Sequence, residues 1–338
     1  MIRGLERYHA INSGEAVAKF QIAKRIEAER HKDIKSAIEE HSRIKKEFKS
    51  VLKKEGKDTD ILAEKPPEFS FLDLKIDILL KMLESCNFCE RKCGVNRYKA
   101  AGFCGCGVQS YYSAEFLHFG EESELIPSHT IFFNRCSFRC VFCQNWTIVY
   151  RDDRLVDPIR LARRIDIRHR QGSKNVNFVG GNPDQHSHTI LKILKHVKSN
   201  VPVVWNSNMY HSMEIAEIIE DVVDVWLGDF KYGNDACAKK YSNADNYWEI
   251  VTRNFLMARK SCEIIIRHLV LPNHIECCTK RIIEWVSENM GRDIRFNLMF
   301  QYYPAYRARE FKEISRMLRK EEIDEALKIA ADNLTNLV

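Results

Sequence analysis

The sequence has no run of about 18 apolar residues, the length that a membrane-spanning helix needs. The residues after Met1 also lack the apolar core of a secretory leader. The excess of one sign of charge is also small, because the sequence has 53 basic and 47 acidic side chains and a formal net charge of +6. These absences argue against a membrane protein, a secreted protein and a nucleic-acid-binding protein, and we expect a cytoplasmic location.

Proline is absent from the first 65 residues, which hold 16 basic and 12 acidic residues. Apolar residues recur there at roughly helical spacing, namely Ile22, Ile26, Ile34, Ile38, Ile44, Phe48, Val51 and Leu52. The pattern predicts a charged helical extension over residues 1–65, which ends at the break formed by Pro66 and Pro67. Two interpretations stay open for it: a docking arm for a partner, or a solvated helical hairpin packed on the body.

Cysteine is abundant, but it lacks the distribution of a disulfide scaffold, which is small and cysteine-dense throughout. Eight of the twelve cysteines lie between Cys86 and Cys143, in two groups. A chain of this length buries a large core without covalent cross-links, so the clustering favours metal ligation in a reducing compartment. We therefore predict a Cys-rich metal-binding segment over residues 66–125, where glycines and weak periodicity indicate loops.

From about residue 126 the chain alternates between apolar, β-branched runs and amphipathic stretches. The runs begin at Ile131, Val176, Val201, Val222, Ile264 and Ile294. The first intervening helix is marked by Asp157 as N-cap, Pro158 at its first position and Gly172 as its stop. Six strands alternating with helices predict an α/β fold with parallel pairing: an open partial barrel over residues 126–310, then a C-terminal helix over residues 311–338. Reactive groups in such barrels collect at the C-terminal ends of the strands.

Three cysteines directly follow the first predicted strand: Cys136, Cys140 and Cys143. Three thiolates with this spacing hold one face of a four-iron cluster and leave one iron open to a small chelating molecule. A structural zinc ion would need a fourth protein ligand, and no nearby Cys or His completes such a site neatly.

The string from Cys136 to Cys143 resembles the CxxxCxΦC signature of the radical S-adenosylmethionine (SAM) superfamily, with Phe142 as its aromatic residue. The strings Cys143 to Trp146 (CQNW) and Gln301 to Tyr306 (QYYPAY) are similar to iron–sulfur proteins related to pyruvate formate-lyase activating enzymes. The resemblance covers roughly residues 86 to 310. It implies a partial (βα)6 barrel, one 4Fe-4S cluster, and SAM that is cleaved by one electron to methionine and a hydrogen-abstracting 5′-deoxyadenosyl radical.

The resemblance also implies partners and a substrate class. It implies a ferredoxin- or flavodoxin-type electron donor and a protein or peptide substrate, such as one that receives a glycyl radical. Two other interpretations stay open. One is a radical SAM enzyme that acts on a small molecule or a nucleic acid, and the other is a non-catalytic metal-binding scaffold.

Residues at the ends of the second and third strands are candidates for binding SAM. Gly180 and Gly181 end the second strand, where paired glycines let the backbone approach a ligand closely. The related proteins have the motif GGEP there, whose glutamate meets the SAM amino group. Asn182 replaces that glutamate here, and a neutral amide loses the charge-assisted strength of the bond. Asn206 and Asn208 follow the third strand and complete the set.

Asp229 and Lys231 follow the fourth strand, and their spacing of two places them on the same side of an extended chain. The resemblance places this DxK pair near the SAM carboxylate or the substrate, and we predict a catalytic role for it. Arg267 lies in an apolar strand and needs an anionic partner. The resemblance suggests that this partner is the SAM carboxylate. Gln301 and Tyr303 end the sixth strand, where they reach the substrate or serve packing alone.

A second set of cysteines precedes the barrel: Cys86, Cys89, Cys93, Cys104 and Cys106. We prefer the first four as a second metal site, since the related proteins have a similar C-x2-C-x3-C…C pattern followed by the string Gly94 to Arg97 (GVNR). An auxiliary iron–sulfur cluster, a structural zinc ion and unligated thiols are the three interpretations.

Two remaining patterns receive no function. His186 and His188 look like a metal-binding pair, but we expect them at the surface before the next helix. Four later cysteines have no ligand spacing and are expected to be core or incidental thiols, namely Cys237, Cys262, Cys277 and Cys278.

Overall fold

The computed structural model describes residues 4–54 and 60–338. Four helices precede the sheet: α1 (Glu6–Ser13), α2 (Lys19–Ala23), α3 (Ile34–Lys54) and α4 (Phe71–Met82). A capping box begins α4, because the Ser70 hydroxyl accepts from the Asp73 N–H while the Asp73 carboxylate accepts from the Ser70 N–H. The amphipathic pattern in the N-terminal sequence falls mainly on α3.

One eight-stranded sheet forms the body of the protein. Its strands are β1 (Tyr111–His118), β2 (Ser128–Phe133), β3 (Arg154–Leu155), β4 (Asn175–Gly180), β5 (Val203–Ser207), β6 (Val225–Asp229), β7 (Glu263–Leu269) and β8 (Arg295–Met299). Their spatial order is β3-β1-β2-β4-β5-β6-β7-β8. Neighbours from β2 to β8 pair in parallel, whereas β1 is antiparallel to both of its neighbours.

The six parallel strands predicted from the sequence are confirmed, in the order expected for a partial barrel. The two antiparallel strands were not predicted. β1 is largely half-buried and lacks an apolar run, and β3 has only two residues. Neither strand therefore has the sequence pattern of a buried parallel strand.

Helices connect the parallel strands along the chain: α5 (Trp146–Val149), α6 (Pro158–Arg170), α7 (Ser187–His196), α8 (Met213–Ile219), α9 (Asp235–Ser242), α10 (Tyr247–Ser261) and α11 (Arg281–Met290). A π-helical segment, Ile275–Lys280, precedes α11, and α12 (Lys320–Asn333) follows β8. The predicted cap of α6 is present, since the Asp157 carboxylate accepts from the N–H groups of Ile159 and Arg160. Among the described residues, no helix is long and apolar enough to cross a membrane.

The start of α1 closes the N-terminal end of the barrel. Leu5 and Tyr8 are 0% exposed, and the N–H groups of Arg7 and Tyr8 donate to the Glu263 carboxylate at 2.6 and 2.8 Å. The two apolar side chains belong to one buried cluster with Leu125, Val204, Val225, Leu227 and Ile265. This part of the N-terminal segment is therefore a floor of the barrel.

The last residues of the chain cover the outer edge of β8. Leu337 forms a parallel bridge with Phe296, and the Val338 N–H donates to the Phe296 carbonyl at 2.9 Å. An exposed parallel edge would otherwise present unpaired N–H and C=O groups. The open barrel thus has β1 and β3 on one side and the C-terminal residues on the other.

Candidate active site

A loop of three cysteines leaves the C-terminal end of β2 and borders a cavity of about 270 Å³. The cavity is lined by every residue that the sequence assigned to the catalytic cluster or to SAM, namely Cys136, Cys140, Phe142, Cys143, Gly180, Gly181, Asn182, Asn206, Asn208, Asp229, Lys231 and Arg267. Residues far apart in the sequence therefore meet because the C-terminal ends of parallel strands share one edge of the sheet.

The C-terminal end of α9 holds the cysteine loop in place. The N–H groups of Arg139 and Val141 donate to the carbonyls of Ser242 and Tyr241, at 3.1 and 2.8 Å. The Ser242 hydroxyl also donates to the sulfur of Cys140 at 2.9 Å. Backbone pairing thus fixes the path of the loop, and one side-chain hydrogen bond reaches a sulfur directly.

The three thiols suit an iron–sulfur cluster. Burial raises the pKa of the Cys136 and Cys140 thiols and raises that of Cys143 to about 12. A cysteine ligand binds as its thiolate, and bonding to positively charged irons offsets the free-energy cost of burying that negative charge. The sulfurs of these three described cysteines do not all lie within 4.8 Å of one another. Their spacing is therefore wider than that of sulfurs that share one metal ion.

Gly180 and Gly181 serve the contact between β4 and the cysteine loop. A Cβ atom on Gly180 would lie 2.1 Å from the Phe133 carbonyl oxygen, and one on Gly181 would lie 1.8 Å from that of Arg135. Gly180 also has a φ of 117°, which other residues rarely adopt. The glycines therefore let the backbone approach the start of the cysteine loop, while they also line the cavity.

Asn182 is buried and uses its amide within the protein. Its Nδ2 donates to Asp184 Oδ2 at 2.9 Å and to Gln185 Oε1 at 3.0 Å, and its Oδ1 accepts from the Asn208 N–H at 3.1 Å. Its Oδ1 therefore joins the ends of β4 and β5 across the cavity wall. The replacement of the family's glutamate fits this hydrogen-bond pattern, because a carboxylate has no N–H to donate to Asp184.

Asp184, which the sequence did not single out, organises the strand ends behind Asn182. Its buried carboxylate accepts from Trp205 Nε1 and from the Ser207 hydroxyl, each at 2.8 Å. A carboxylate with several donors is stable in a buried position. Asn206 and Asn208 flank Ser207 in sequence, so Asp184 fixes the segment that presents both asparagines to the cavity.

Asp229 and Lys231 form an ion pair at the cavity wall, with 2.6 Å between Lys231 Nζ and Asp229 Oδ2. The predicted same-side placement is therefore present. Although burial acts in the opposite direction, Asp229 and the neighbouring Cys140 raise the pKa of Lys231 above its ordinary value. The lysine is a fixed cation close to the cysteine cluster.

Arg267 has anionic partners within the chain. Its guanidinium donates to both carboxylate oxygens of Glu122, at 2.7 and 2.8 Å, and it also pairs with Glu121. Although burial acts against ionisation, Arg267 leaves the pKa of Glu122 below its ordinary value. These glutamates are the anionic partner that the sequence predicted for Arg267. The arginine therefore does not need the SAM carboxylate to balance its charge. Arg267 nevertheless lines the cavity.

The two strings that resemble the activating-enzyme subgroup meet at the mouth of the cavity. The Trp146 and Tyr306 rings stack with 5.1 Å between centroids, and Tyr150 packs against Tyr306 at 5.9 Å. Gln144 and Gln301, from the same two strings, line the cavity. The mouth is thus a polar rim beside exposed aromatic rings.

The upstream cysteines gather in a loop that packs against the catalytic cysteine loop. A Cβ on Gly102 would lie 3.2 Å from the Cys93 sulfur and 3.8 Å from that of Cys104, so these two sulfurs are neighbours. Cys86 and Cys89 interact electrostatically with both. The four preferred ligands therefore lie together.

Contacts join the upstream loop to the catalytic loop. Arg91 Nε donates to the Ser137 carbonyl at 3.1 Å, and Arg139 donates to the Phe103 carbonyl. A hydrogen bond from Cys106 lowers the pKa of Cys104 to about 6 in spite of burial. Cys106 thus borders the four-cysteine group on the side of Cys104.

The expectation of a surface position for His186 and His188 is wrong. Both are 1% exposed, and burial lowers the pKa of His186 to about 3. His186 hydrogen-bonds to Ser110 Oγ at 2.9 Å and to the Asn134 carbonyl at 2.8 Å. The pair ties the segment after the upstream cysteines to the barrel, and its spacing in a polar stretch gave no sign of this burial.

Three of the four later cysteines, for which the sequence showed no ligand spacing, lie together in the structure. The sulfurs of Cys237, Cys277 and Cys278 lie within 4.8 Å of one another. Cys262 stays outside this group and contacts Lys19 Nζ at 3.1 Å. Sequence spacing missed the group because α9 and the π-helical segment are about forty residues apart in the chain.

Comparison with known proteins agrees with the site. The family model described as the radical SAM superfamily matches residues 130–286. An uncharacterized protein of Methanocaldococcus jannaschii is 46% identical over 338 residues, which span 96% of each chain.

The solved structures that resemble this chain are more distant. SuiB of Streptococcus suis bound to S-adenosylmethionine gives a TM-score of 0.44 at 14% identity, over 60% of this chain and 47% of that chain. TYW1 with a lysine-pyruvate adduct gives a TM-score of 0.39 at 15% identity, over 61% of this chain and 74% of that chain. The match spans about half the length of the SuiB chain.

Proposed function

The chain belongs to the radical SAM superfamily, and on that premise we propose that it abstracts hydrogen from a protein or peptide substrate, as an activating-enzyme-like oxidoreductase. The superfamily implies a 4Fe-4S cluster and SAM. When bound and reduced by one electron, they supply methionine and a 5′-deoxyadenosyl radical, which takes a hydrogen atom to give 5′-deoxyadenosine and a substrate radical.

The chain's own residues bind and orient these groups. Cys136, Cys140 and Cys143, which line the cavity, would hold three irons of the cluster and leave the fourth without a protein ligand, free to bind SAM. Asp229 and Lys231 provide an anion and a cation on the same wall, which suits the ammonium and carboxylate of an amino acid. We assign the positioning of SAM or substrate to this pair, with Asn206 and Arg267 beside it.

We propose a protein or peptide substrate because a group of exposed aromatic residues lies at the mouth of the cavity. Trp146 and Tyr150 both pack against Tyr306, the three side chains are 37–44% exposed, and Tyr303, in the same string as Tyr306, is 48% exposed. Contiguous exposed aromatic rings beside a catalytic cavity are typical of a surface that binds another chain. A small substrate enclosed in the cavity would not need such a surface.

We further propose that the upstream cysteines bind an auxiliary iron–sulfur cluster and that a ferredoxin- or flavodoxin-type protein supplies the electron. The sulfurs of Cys86, Cys89, Cys93 and Cys104 lie together, but among these described residues no three sulfurs all lie within 4.8 Å of one another, whereas the sulfur ligands of one zinc ion lie about 3.8 Å apart. Direct contacts between the two cysteine loops favour electron transfer between them. About eight irons per chain are expected, and about four in Cys89→Ala; four irons with one zinc lost on Cys89→Ala would reject the auxiliary cluster.

Cleavage of SAM is the first test. The protein is purified anaerobically, reconstituted with iron and sulfide, and mixed with dithionite and SAM, and we expect equimolar 5′-deoxyadenosine and methionine. Cys140→Ala should yield neither product and should lose about four irons per chain. An intact, reducible cluster without 5′-deoxyadenosine would reject the enzyme, and zinc without iron at Cys136 to Cys143 would indicate a metal-binding scaffold.

Deuterium transfer tests the substrate class. Extract from cells grown on deuterated medium is separated into protein, RNA and metabolite fractions, and each is added to the reconstituted protein with SAM and reductant. We expect singly deuterated 5′-deoxyadenosine with the protein fraction, and loss of that label after the fraction is treated with protease. Label from the RNA or metabolite fraction instead would reject the protein or peptide substrate while the SAM chemistry stands.

A further inference from the structure

A third group of cysteines lies apart from both cysteine loops. Cys237 is in the first turn of α9, whereas Cys277 and Cys278 are in the π-helical segment before α11. Their sulfurs lie within 4.8 Å of one another, and those of Cys277 and Cys278 are 3.8 Å apart. Tetrahedral zinc with bonds of about 2.3 Å to sulfur places its sulfur ligands about 3.8 Å apart. The spacing therefore suits one metal ion.

An imidazole stands beside these sulfurs. His274 interacts with the Cys237 thiol, its Nδ1 lies 2.6 Å from the Pro272 carbonyl oxygen, and its Nε2 lies 3.1 Å from the Tyr241 hydroxyl. A carbonyl only accepts, so Nδ1 donates to it, and Nε2 would exchange the Tyr241 hydroxyl for a metal ion. Imidazoles that bind a metal through one nitrogen commonly donate from the other to such an acceptor.

A glycine and an asparagine bring the two backbone segments that carry these cysteines close together. A Cβ on Gly233 would lie 2.7 Å from the Cys277 carbonyl oxygen and from the Cys278 Cα, so only glycine lets the two segments come this close. The Asn234 amide then donates to the Cys277 carbonyl at 2.9 Å. Single π-helical turns occur frequently at functional sites.

We propose that Cys237, Cys277 and Cys278 bind a single zinc ion, with His274 as the fourth ligand. The site joins the start of α9 to the segment that follows β7. The end of the same helix contacts the catalytic loop, because the Ser242 hydroxyl donates to Cys140. The zinc ion therefore has a structural role, in which it fixes the helix that positions the catalytic cysteines.

Metal content per chain tests the site. The anaerobically purified protein is expected to contain one zinc ion in addition to its iron. Cys277→Ser and Cys237→Ser should each lose that zinc and keep their iron, whereas Cys262→Ser, a cysteine outside the group, should keep both. His274→Ala should weaken zinc binding at least about tenfold in a chelator competition.

Two results would overturn the proposal. One is a wild-type protein that holds no zinc at this site after zinc is supplied, whether its thiols are free or joined as a disulfide that mass spectrometry detects. The other is loss of iron rather than zinc in Cys277→Ser. Cobalt substitution provides a check that does not depend on folding yield, since the thiolate-to-cobalt absorption should be present in the wild type and Cys262→Ser and absent from Cys277→Ser.

Discussion

The Ser242 hydroxyl donates a hydrogen bond of 2.9 Å to the sulfur of Cys140, which links the end of α9 to a ligand of the catalytic cluster. Hydrogen bonds to cluster sulfurs help to set the reduction potential. The serine is therefore placed to influence how easily the cluster accepts its electron, although it is about a hundred residues away in the sequence.

Replacement of this serine should shift the potential without loss of the cluster. Ser242→Ala removes the donor, leaves more electron density on the sulfur and is expected to make the reduction potential more negative. An EPR-monitored redox titration measures the shift. Ser315→Ala, at a serine whose hydroxyl donates to the Lys312 carbonyl and is remote from the cysteines in sequence, serves as the matched control. An unchanged potential in Ser242→Ala would exclude an electronic role for the hydrogen bond.

A methyl group on Gly181 should displace the cysteine loop. The added Cβ would lie 1.8 Å from the Arg135 carbonyl oxygen, so one of the two backbones has to move. We expect Gly181→Ala to retain less than half of the iron of the catalytic cluster. Gly107→Ala is the control, since its Cβ would lie 3.6 Å from its nearest neighbour. Equal iron content in the two variants would show that the contact is not required.

Asp229 and Lys231 should behave as a unit in kinetics. Lys231→Met leaves the Asp229 carboxylate unpaired in the cavity, and loss of one partner of such a pair typically costs about 2–5 kcal/mol. We expect at least a tenfold loss of 5′-deoxyadenosine formation in Lys231→Met and in Asp229→Asn. The double variant should lose less than the product of the two single losses, because the pair is coupled. Independent, multiplicative losses would mean that the ion pair is not part of the function.

Glu263 should make stability depend on pH. Burial raises the pKa of this carboxyl to about 7 in the folded protein, whereas an unfolded chain leaves it near 4.5. The folded state therefore holds the proton more tightly, and this stabilisation, present below pH 4.5, is lost as the pH rises through 7. It amounts to roughly 3 kcal/mol.

Denaturation midpoints measured from pH 4 to 8 check this prediction. Glu263→Gln cannot titrate, so the difference in stability between it and the wild type should change across that range. The comparison uses the slope with pH rather than the absolute stability, since the glutamine amide also changes hydrogen bonds to the N–H groups of Arg7 and Tyr8. Parallel curves for the two proteins would contradict the pKa of Glu263.

The sequence predicted the parallel strands well because each is a short, apolar run bounded by residues that stop helices or strands. It also located the cavity, since the residues after those strands necessarily share one edge of the sheet. The sequence could not predict contacts between distant segments. The pairing of Arg267 with Glu121 and Glu122, and the role of Ser242, depend on how loops fold back over the strand ends, and no local pattern records that.

Burial of polar residues was equally hard to anticipate. His186 and Asp184 lie in a short polar stretch, yet each is enclosed because it hydrogen-bonds to groups from other strands and loops. Leu5 and Tyr8 are similar, since a charged N-terminal sequence does not indicate which two side chains enter the barrel.

The floor formed by Leu5 and Tyr8 has a consequence for turnover. With the N-terminal end of the barrel sealed, the cavity lies at the C-terminal ends of the strands, where the proposed protein substrate would also bind. The proposed function then predicts an ordered reaction, in which SAM binds before the substrate and methionine and 5′-deoxyadenosine leave after it. Such an order would keep the reactive radical enclosed for as long as it exists.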